Sequence, residues 1–183
     1  MTPRNTYSIK IAGLSRELPL FEVQPGIRIA ILNILGDTEL VQASARALDE
    51  KLNDIDYDLI ITAEAKSIPL AYALSLLTGK PYIILRKKYR SYMGNTIETE
   101  TISITTGHPQ YLYLDEKDRK LLEGKKALLV DDVISTGSTL KGMKQIVEKA
   151  GAEVAASAAI LTEGDAEQWK DIIALGHLPV FKS

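Results

Sequence analysis

Residues 127–139 read ALLVDDVISTGST. Leu128, Leu129 and Val130 form a short, wholly apolar run, expected to be a strand buried on both faces of a parallel sheet. Two carboxylates, Asp131 and Asp132, stand at its C-terminal end, where open α/β sheets bind their ligands. Val133 to Ser138 is expected to turn into a helix from about Thr139 to Lys149, which Gly151 ends. Ser135, Thr136, Ser138 and Thr139 offer hydroxyls, and Gly137 lets backbone N–H groups approach a ligand closely. The helix start adds unpaired N–H donors and a positive dipole end, which suit a phosphate dianion. Paired carboxylates accept well from vicinal hydroxyls such as those of ribose. A plain βα turn with capping hydroxyls is the alternative, and the pairing of Asp-Asp with Thr-Gly-Ser-Thr argues against it. There is no GxxxxGK[ST] run to support a P-loop NTPase.

Around this run the chain alternates short apolar strands with helices. Leu59 to Ile61, Tyr82 to Leu85, Ala127 to Val130 and Val154 to Leu161 read as strands. Thr38 to Leu52 and the stretch from Pro69 through Leu77 read as helices, the second ended by Gly79. That alternation predicts an α/β fold with a central, mostly parallel sheet flanked by helices. The first forty residues read as irregular, with Tyr7 to Ile11 a short strand and Ile27 to Leu35 a strand or buried stretch. Lys87 to Leu114, rich in Thr, Tyr and Ile, predicts two antiparallel strands joined around Gly107-His108-Pro109, an excursion of the size of a functional flap. Trp169 to Ser183 reads as a helix followed by a short strand, Leu178 to Phe181.

Composition narrows the function classes. The 183 residues fit one domain, and an apolar fraction of 45% is enough to bury a core. With no cysteine, disulfides and thiolate chemistry are excluded. A net charge of -2 disfavours wholesale nucleic-acid binding. No apolar run is long enough for a membrane span, and MTPRNTYSIK lacks the apolar core of a signal peptide. The expectation is a cytoplasmic protein with no nucleic-acid or membrane partner. His108 and His177 have no metal-ligand spacing, so no protein metal site is expected and neither histidine is given a role.

The 127–139 run resembles the phosphoribosyl-pyrophosphate (PRPP) motif of the type I phosphoribosyltransferases: an apolar strand, two acidic residues, a short variable stretch, then Thr-Gly-Gly/Ser-Thr. By that resemblance Asp131 and Asp132 face the ribose hydroxyls and Ser135 to Thr139 hold the 5′-phosphate, with Val133 and Ile134 also among the PRPP-binding positions. Thr62-Ala63-Glu64-Ala65-Lys66-Ser67 resembles the pyrophosphate loop of adenine phosphoribosyltransferases. Lys66 takes the place of that family's Arg and Ser67 the place of its Gly, with Ala65 beside them. A lysine neutralises pyrophosphate as a point charge, without the bidentate fork of arginine. Arg86-Lys87 matches an Arg-Lys pair that reaches PRPP, and Lys88 and Arg90 are expected to assist on the flap. The adenine enzymes carry a flap Glu-Tyr-Gly where this chain has Thr105-Thr106-Gly107, leaving Glu98 or Glu100 as substitutes. Their Pro-Gly-x-x-Phe-Arg hood segment corresponds to Pro25 to Ala30, with Ile29 and Ala30 in the Phe and Arg places; Ile27 and Ile29 are base-pocket candidates without aromatic stacking, and plain core packing is the alternative for each. Glu163, in LTEGD, is a further base-binding candidate.

The resemblance implies a single phosphoribosyltransferase domain over residues 1–183, with a hood from about 1–36 and 162–183 and a flap over about 87–114. It implies transfer of phosphoribose from PRPP to a nitrogenous base, a purine in the first instance. Catalysis would rest on Asp131, Asp132, Lys66, Arg86 and Lys87, with Mg²⁺ carried mainly by PRPP, in a homodimer. A non-catalytic PRPP- or nucleotide-binding regulator is the second reading and a pyrimidine transferase the third.

Overall fold

The computed structural model describes residues 5–102 and 109–182. Contrary to the irregular reading, the N-terminal segment is largely sheet. Strands β1 (Thr6–Ile11) and β2 (Leu14–Gln24) pair antiparallel, with Ile11 opposite Leu14. Ala12 and Gly13 between them both have positive φ, the geometry of a two-residue hairpin turn that matches strand twist. Neither Asn-Gly nor Asp-Gly marks that turn, so the hairpin is not legible locally. Strand β3 (Ile27–Ala30) pairs with β2 and stops well short of Leu35. Leu32 and Ile34 beyond it are buried without being strand.

Helix α1 (Thr38–Lys51) is capped by Asp37, whose carboxylate accepts from the Leu40 N–H at 3.1 Å and is held by Arg16 Nε at 2.7 Å. Strand β4 (Leu59–Ala63) is buried throughout, as its unbroken apolar run requires. Helix α2 (Ile68–Thr78) has Pro69 in its first turn and left-handed Gly79 at its end. Strand β5 (Tyr82–Leu85) follows. Strands β6 (Ile97–Ile102) and β7 (Pro109–Leu114) form a two-stranded antiparallel ribbon. Thr105, Thr106, Gly107 and His108 lie outside the described residues. A short helix α3 (Glu116–Leu122), capped by Asp115, is absent from the sequence reading; at seven residues it carries too little periodicity to be seen. Strand β8 (Lys126–Ile134), helix α4 (Ser138–Lys149) and strand β9 (Glu153–Glu163) complete the second half. Strand β8 runs to Ile134, so the carboxylates lie within the strand and the turn into the helix is tighter than expected.

The tail departs most from expectation. Instead of a helix after Trp169, a 3-10 turn (Ala166–Trp169) leads into strand β10 (Ile173–Leu178), which lies parallel to β9. Strand β11 (Phe181–Lys182) then crosses to pair with β3. The spacing of Ile172, Ile173 and Leu175 fits either period over so short a run. The open edge of β9 decides it: a Cβ on Gly176 would stand 2.9 Å from Leu161 Cδ2, so the two strands approach closely there.

The central sheet has the order β10-β9-β8-β4-β5, all parallel. The C-terminal ends of β4, β5, β8 and β9 therefore share one edge, and the loops at 64–67, 86–88, 135–137 and 163–165 converge there. One apolar cluster packs α1, α2 and the small β1-β2-β3-β11 sheet on one face; the other packs α3, α4 and β7 on the opposite face. The ribbon is docked on α4. Thr99 Oγ1 donates to Gln145 Oε1 at 2.6 Å and Lys149 Nζ to the Glu98 carbonyl at 2.6 Å.

Candidate active site

The loop at the end of β8 is built around a start-of-helix turn. Gly137 takes φ +74° and caps α4, a conformation that strains any residue with a Cβ. Ser135 and Thr136 are exposed, and Thr136 Oγ1 and Ser138 Oγ lie 3.1 Å apart. The loop and Asp131 enclose a small cavity of about 30 Å³. Gly137, Ser138 and Thr139 line it, and Ile134 borders it with a side chain that is core, 2% exposed. Backbone donors, hydroxyls and a helix N-terminus around one small space make a setting for a phosphate group.

Asp132 is buried and Asp131 partly so. Ser67 ties them together. Its hydroxyl donates to Asp131 Oδ1 at 2.6 Å and accepts from the Asp132 N–H at 3.1 Å. Ser67 occupies the N-cap of α2 yet makes no side-chain cap bond; the hydroxyl serves the carboxylates instead. With only 2% exposure, its side chain faces the acidic pair. Burial first, and the Asp132 charge second, push Asp131 up to about 7, with the Ser67 hydrogen bond pulling the other way. A carboxyl poised there is easily ionised by any group that donates hydrogen bonds to it.

The cations stand on neighbouring loops. Lys66 donates to the Leu32 carbonyl at 3.3 Å and lies 3.9 Å from Asp132 Oδ2, bridging the N-terminal segment and the acidic pair. The peptide between Glu64 and Ala65 is cis, and Ala65 is exposed. Arg86 Nε donates to Glu64 Oε1 at 2.5 Å, and the Lys87 N–H donates to Glu64 Oε2 at 2.8 Å. Arg86 is thus held by the same loop that carries Lys66. The Lys87, Lys88 and Arg90 side chains are exposed, with Arg90 leading into the 3-10 turn Ser91–Met93.

A second cavity, about 190 Å³, opens beside the 135–139 loop and shares Val133 and Ser135 with the first. Ile29 and Leu32 form one wall, with Lys66, Asp132 and Glu163 around it. Ile29 lines this cavity and Ile27, two residues earlier in β3 and opposite Lys182, does not. Glu163 is 9% exposed, and its burial raises its pKa while nearby His177 opposes the shift. His177, given no role from sequence, bonds through Nδ1 to Thr162 Oγ1 at 2.9 Å and through Nε2 to the Gly164 carbonyl at 3.0 Å. Nε2 therefore donates to the Gly164 carbonyl, which can only accept. The β6 carboxylates Glu98 and Glu100 are exposed, and Glu100 accepts from the Tyr111 hydroxyl at 3.0 Å.

A family model described as a phosphoribosyl transferase domain matches residues 31–176. The chain belongs to the phosphoribosyltransferase family. Among relatives, a hypoxanthine/guanine phosphoribosyltransferase of Methanocella paludicola is 37% identical over 124 residues, 68% of this chain and 60% of its own length. An adenine phosphoribosyltransferase of Thermosipho africanus is 33% identical over 142 residues, 77% of this chain and 80% of its own. The chain thus spans about 60% of the length of the first of these. The crystal structure of adenine phosphoribosyltransferase from Thermoanaerobacter pseudethanolicus superposes with a TM-score of 0.66 over 94% of this chain and 95% of its own, at 21% identity; at that identity the likeness concerns the fold.

For a phosphoribosyltransferase, the features that sequence reasoning missed are contacts between loops. The Ser67 bridge, the Glu64–Arg86 pair and the His177 bonds join residues 64, 22 and 13 or 15 positions apart. The one signal available in advance was Ser67, a hydroxyl at a position where the family pattern has glycine.

Proposed function

We propose that this chain catalyses transfer of the 5-phosphoribosyl group from PRPP to a purine base, giving a nucleoside 5′-monophosphate and pyrophosphate. The bond from ribose C1 to the pyrophosphate oxygen breaks, a bond from C1 to a ring nitrogen of the base forms, and the proton on that nitrogen is released. The observation that carries this reading is the adjacency of two cavities. A small space lies at the start of α4 and a larger one beneath Ile29 and Glu163, with Asp131 and Asp132 between them. A nucleotide spans such a pair: phosphate in the first, ribose hydroxyls on the carboxylates, base in the second. Lys66, Arg86 and Lys87 neutralise the departing pyrophosphate, so catalysis is mostly positioning and electrostatics. Ser135 to Thr139, with the Val133 and Ile134 backbone, hold the 5′-phosphate. Ala65, Lys88 and Arg90 border the pyrophosphate side, Ser67 positions the carboxylates, and Ile29 and Glu163 meet the base.

The purine assignment draws on relatives named for hypoxanthine/guanine and for adenine. Mg²⁺ suits the site as a companion of PRPP, because it prefers substrate phosphates and water to an all-protein cage. Among the described residues no group of three or more His, Asp or Glu could hold a metal ion. Carried by PRPP, the ion would neutralise charge on the leaving pyrophosphate. We read residues 1–183 as one domain with hood and flap, cytoplasmic and homodimeric. Exposed Tyr72, Leu76 and Leu77 on α2 offer an apolar face for the second copy. No described helix is long and apolar enough to cross a membrane. The deciding assay incubates the protein with labelled PRPP, Mg²⁺ and adenine, guanine, hypoxanthine, xanthine, uracil or orotate in turn. Pyrophosphate release with a purine is expected. PRPP binding with no release on any base would instead favour the regulator, and release with uracil or orotate alone would move the substrate to the pyrimidines.

A further inference from the structure

The chain has a single tryptophan, Trp169, at the end of the 3-10 turn Ala166–Trp169. It touches two loops that lie far apart in sequence. Its indole N–H donates to the backbone carbonyl of Glu163 at 2.9 Å. Its ring lies against Gly137, where an added Cβ would stand 2.8 Å from Cη2 and 3.3 Å from Cζ3. Gly137 is the left-handed residue at the centre of the 135–139 loop, and the ring itself packs against the cluster that contains Ile134 and Leu140. The other end of the Glu163 loop is fixed from β10: His177 binds Thr162 and Gly164, and the Gly164 N–H donates to the Leu178 carbonyl at 3.1 Å. Trp169 thus adds a side-chain link from the Glu163 main chain to the phosphate loop, beyond the β8–β9 ladder that ends at Ile134 and Thr162.

A half-buried tryptophan commonly finds some partner for its N–H, so packing alone could explain the bond. Packing does not explain why the two ends of one rigid indole meet one loop of each cavity. The ring transmits displacement: a Gly137 backbone that moves toward a phosphate changes its contact with Cη2, and the opposite edge carries the Glu163 carbonyl. We propose that Trp169 is a positioning residue that couples occupancy of the 135–139 phosphate loop to the placement of Glu163 in the base cavity. The coupling rests on the reading of residues 135–139 as the phosphate site and adds to it a path from phosphate to base.

The test uses ribose 5-phosphate, which carries the phosphate and the sugar but neither base nor pyrophosphate. Hydrogen exchange is followed by mass spectrometry in the full chain and in Trp169→Phe, with binding checked by calorimetry. Phenylalanine keeps a ring beside Gly137 and loses the N–H. In the unaltered protein ribose 5-phosphate should slow exchange in peptides covering both 134–140 and 161–165, the latter about fivefold, the worth of one net hydrogen bond. Trp169 emission should change over the same titration. In W169F protection should persist at 134–140 and vanish at 161–165. Equal protection of 161–165 in both proteins overturns the coupling, as does protection confined to 134–140 in the unaltered protein or an unchanged emission at saturation. If calorimetry finds no binding and neither peptide is protected, the phosphate-loop reading falls and takes the coupling with it. The emission measurement needs no variant and decides the matter even if W169F does not fold.

Discussion

Replacing Asp131 with asparagine should stabilise the ligand-free protein while weakening its hold on ribose. Burial beside Asp132 pushes Asp131 up to about 7. Below that pH the folded chain keeps a proton that the unfolded chain has already lost. Stability therefore falls as pH rises from the ordinary carboxylate range to about 7, and the full penalty stands above it. Roughly three pH units at ~1.36 kcal/mol each bound that penalty at ~4 kcal/mol. Water and Lys66, 3.9 Å from Asp132, screen the pair and reduce the expected value to ~1–2 kcal/mol. The introduced amide would still offer an Oδ1 to the Ser67 hydroxyl and the Asp132 N–H, from which Asp131 now accepts at 2.6 and 2.9 Å, so no hydrogen bond is lost. For a chain of this size each kcal/mol moves Tm by roughly 2–4 °C. The variant should thus melt roughly 2–8 °C higher at pH 8, with the gain shrinking as pH falls toward 4. Thermal melts from pH 4 to pH 9, without ligand, measure this. A gain as large at pH 5 as at pH 8, or a loss at pH 8, refutes the buried like-charge pair.

The same geometry sets three further expectations. Ser67→Ala removes the hydroxyl that holds Asp131 down, so the acid limb of PRPP binding should move to higher pH, with affinity at pH 7 falling about fivefold and recovering by pH 9; calorimetry across that range would reveal an unmoved limb if the bridge were idle. Lys66→Ala should weaken pyrophosphate as a product inhibitor about tenfold, the scale of one charge-assisted contact, and an unchanged inhibition constant would remove Lys66 from the pyrophosphate site. Gly137→Ala should cost about 1–3 kcal/mol in urea unfolding, because a Cβ at φ +74° is strained and meets Trp169; a midpoint equal to that of the parent would mean the loop relaxes without cost.

Much of the fold is legible locally where a run is apolar throughout or strongly periodic. LII (59–61), YIIL and ALLV are apolar throughout, so they read as strands of a parallel sheet, and β4, β5 and β8 run through the middle and edge of one parallel sheet. Leu40, Val41, Ala45 and Leu48 mark α1 by spacing alone. Legibility fails where the local pattern is short or satisfies two periods. The β1–β2 hairpin turns on Ala12-Gly13, a weak turn signal. The tail becomes β10 because β9 offers an open parallel edge, which no property of residues 173–178 announces. Among site candidates, Ile27 and Ile29 look alike in sequence, and only the fold shows that Ile29 lines the cavity while Ile27 lies two residues away from it along β3.

By itself the sequence determined the strand–acid–acid–loop–helix unit of residues 127–139, because the apolar run, paired carboxylates, hydroxyls and glycine are contiguous and their chemistry is local. It also determined the parallel α/β class, which follows from alternating short strands and helices. Only the tertiary structure decided how that unit is completed. Ser67, 64 residues from Asp131, commits its hydroxyl to the acidic pair. Lys66 reaches Leu32, Arg86 lies against Glu64, and Trp169 joins Gly137 to Glu163. Those contacts arise because parallel strands bring all their C-terminal ends to one edge of the sheet. Which residues meet there depends on strand order, a property of the whole chain and not of any stretch of it.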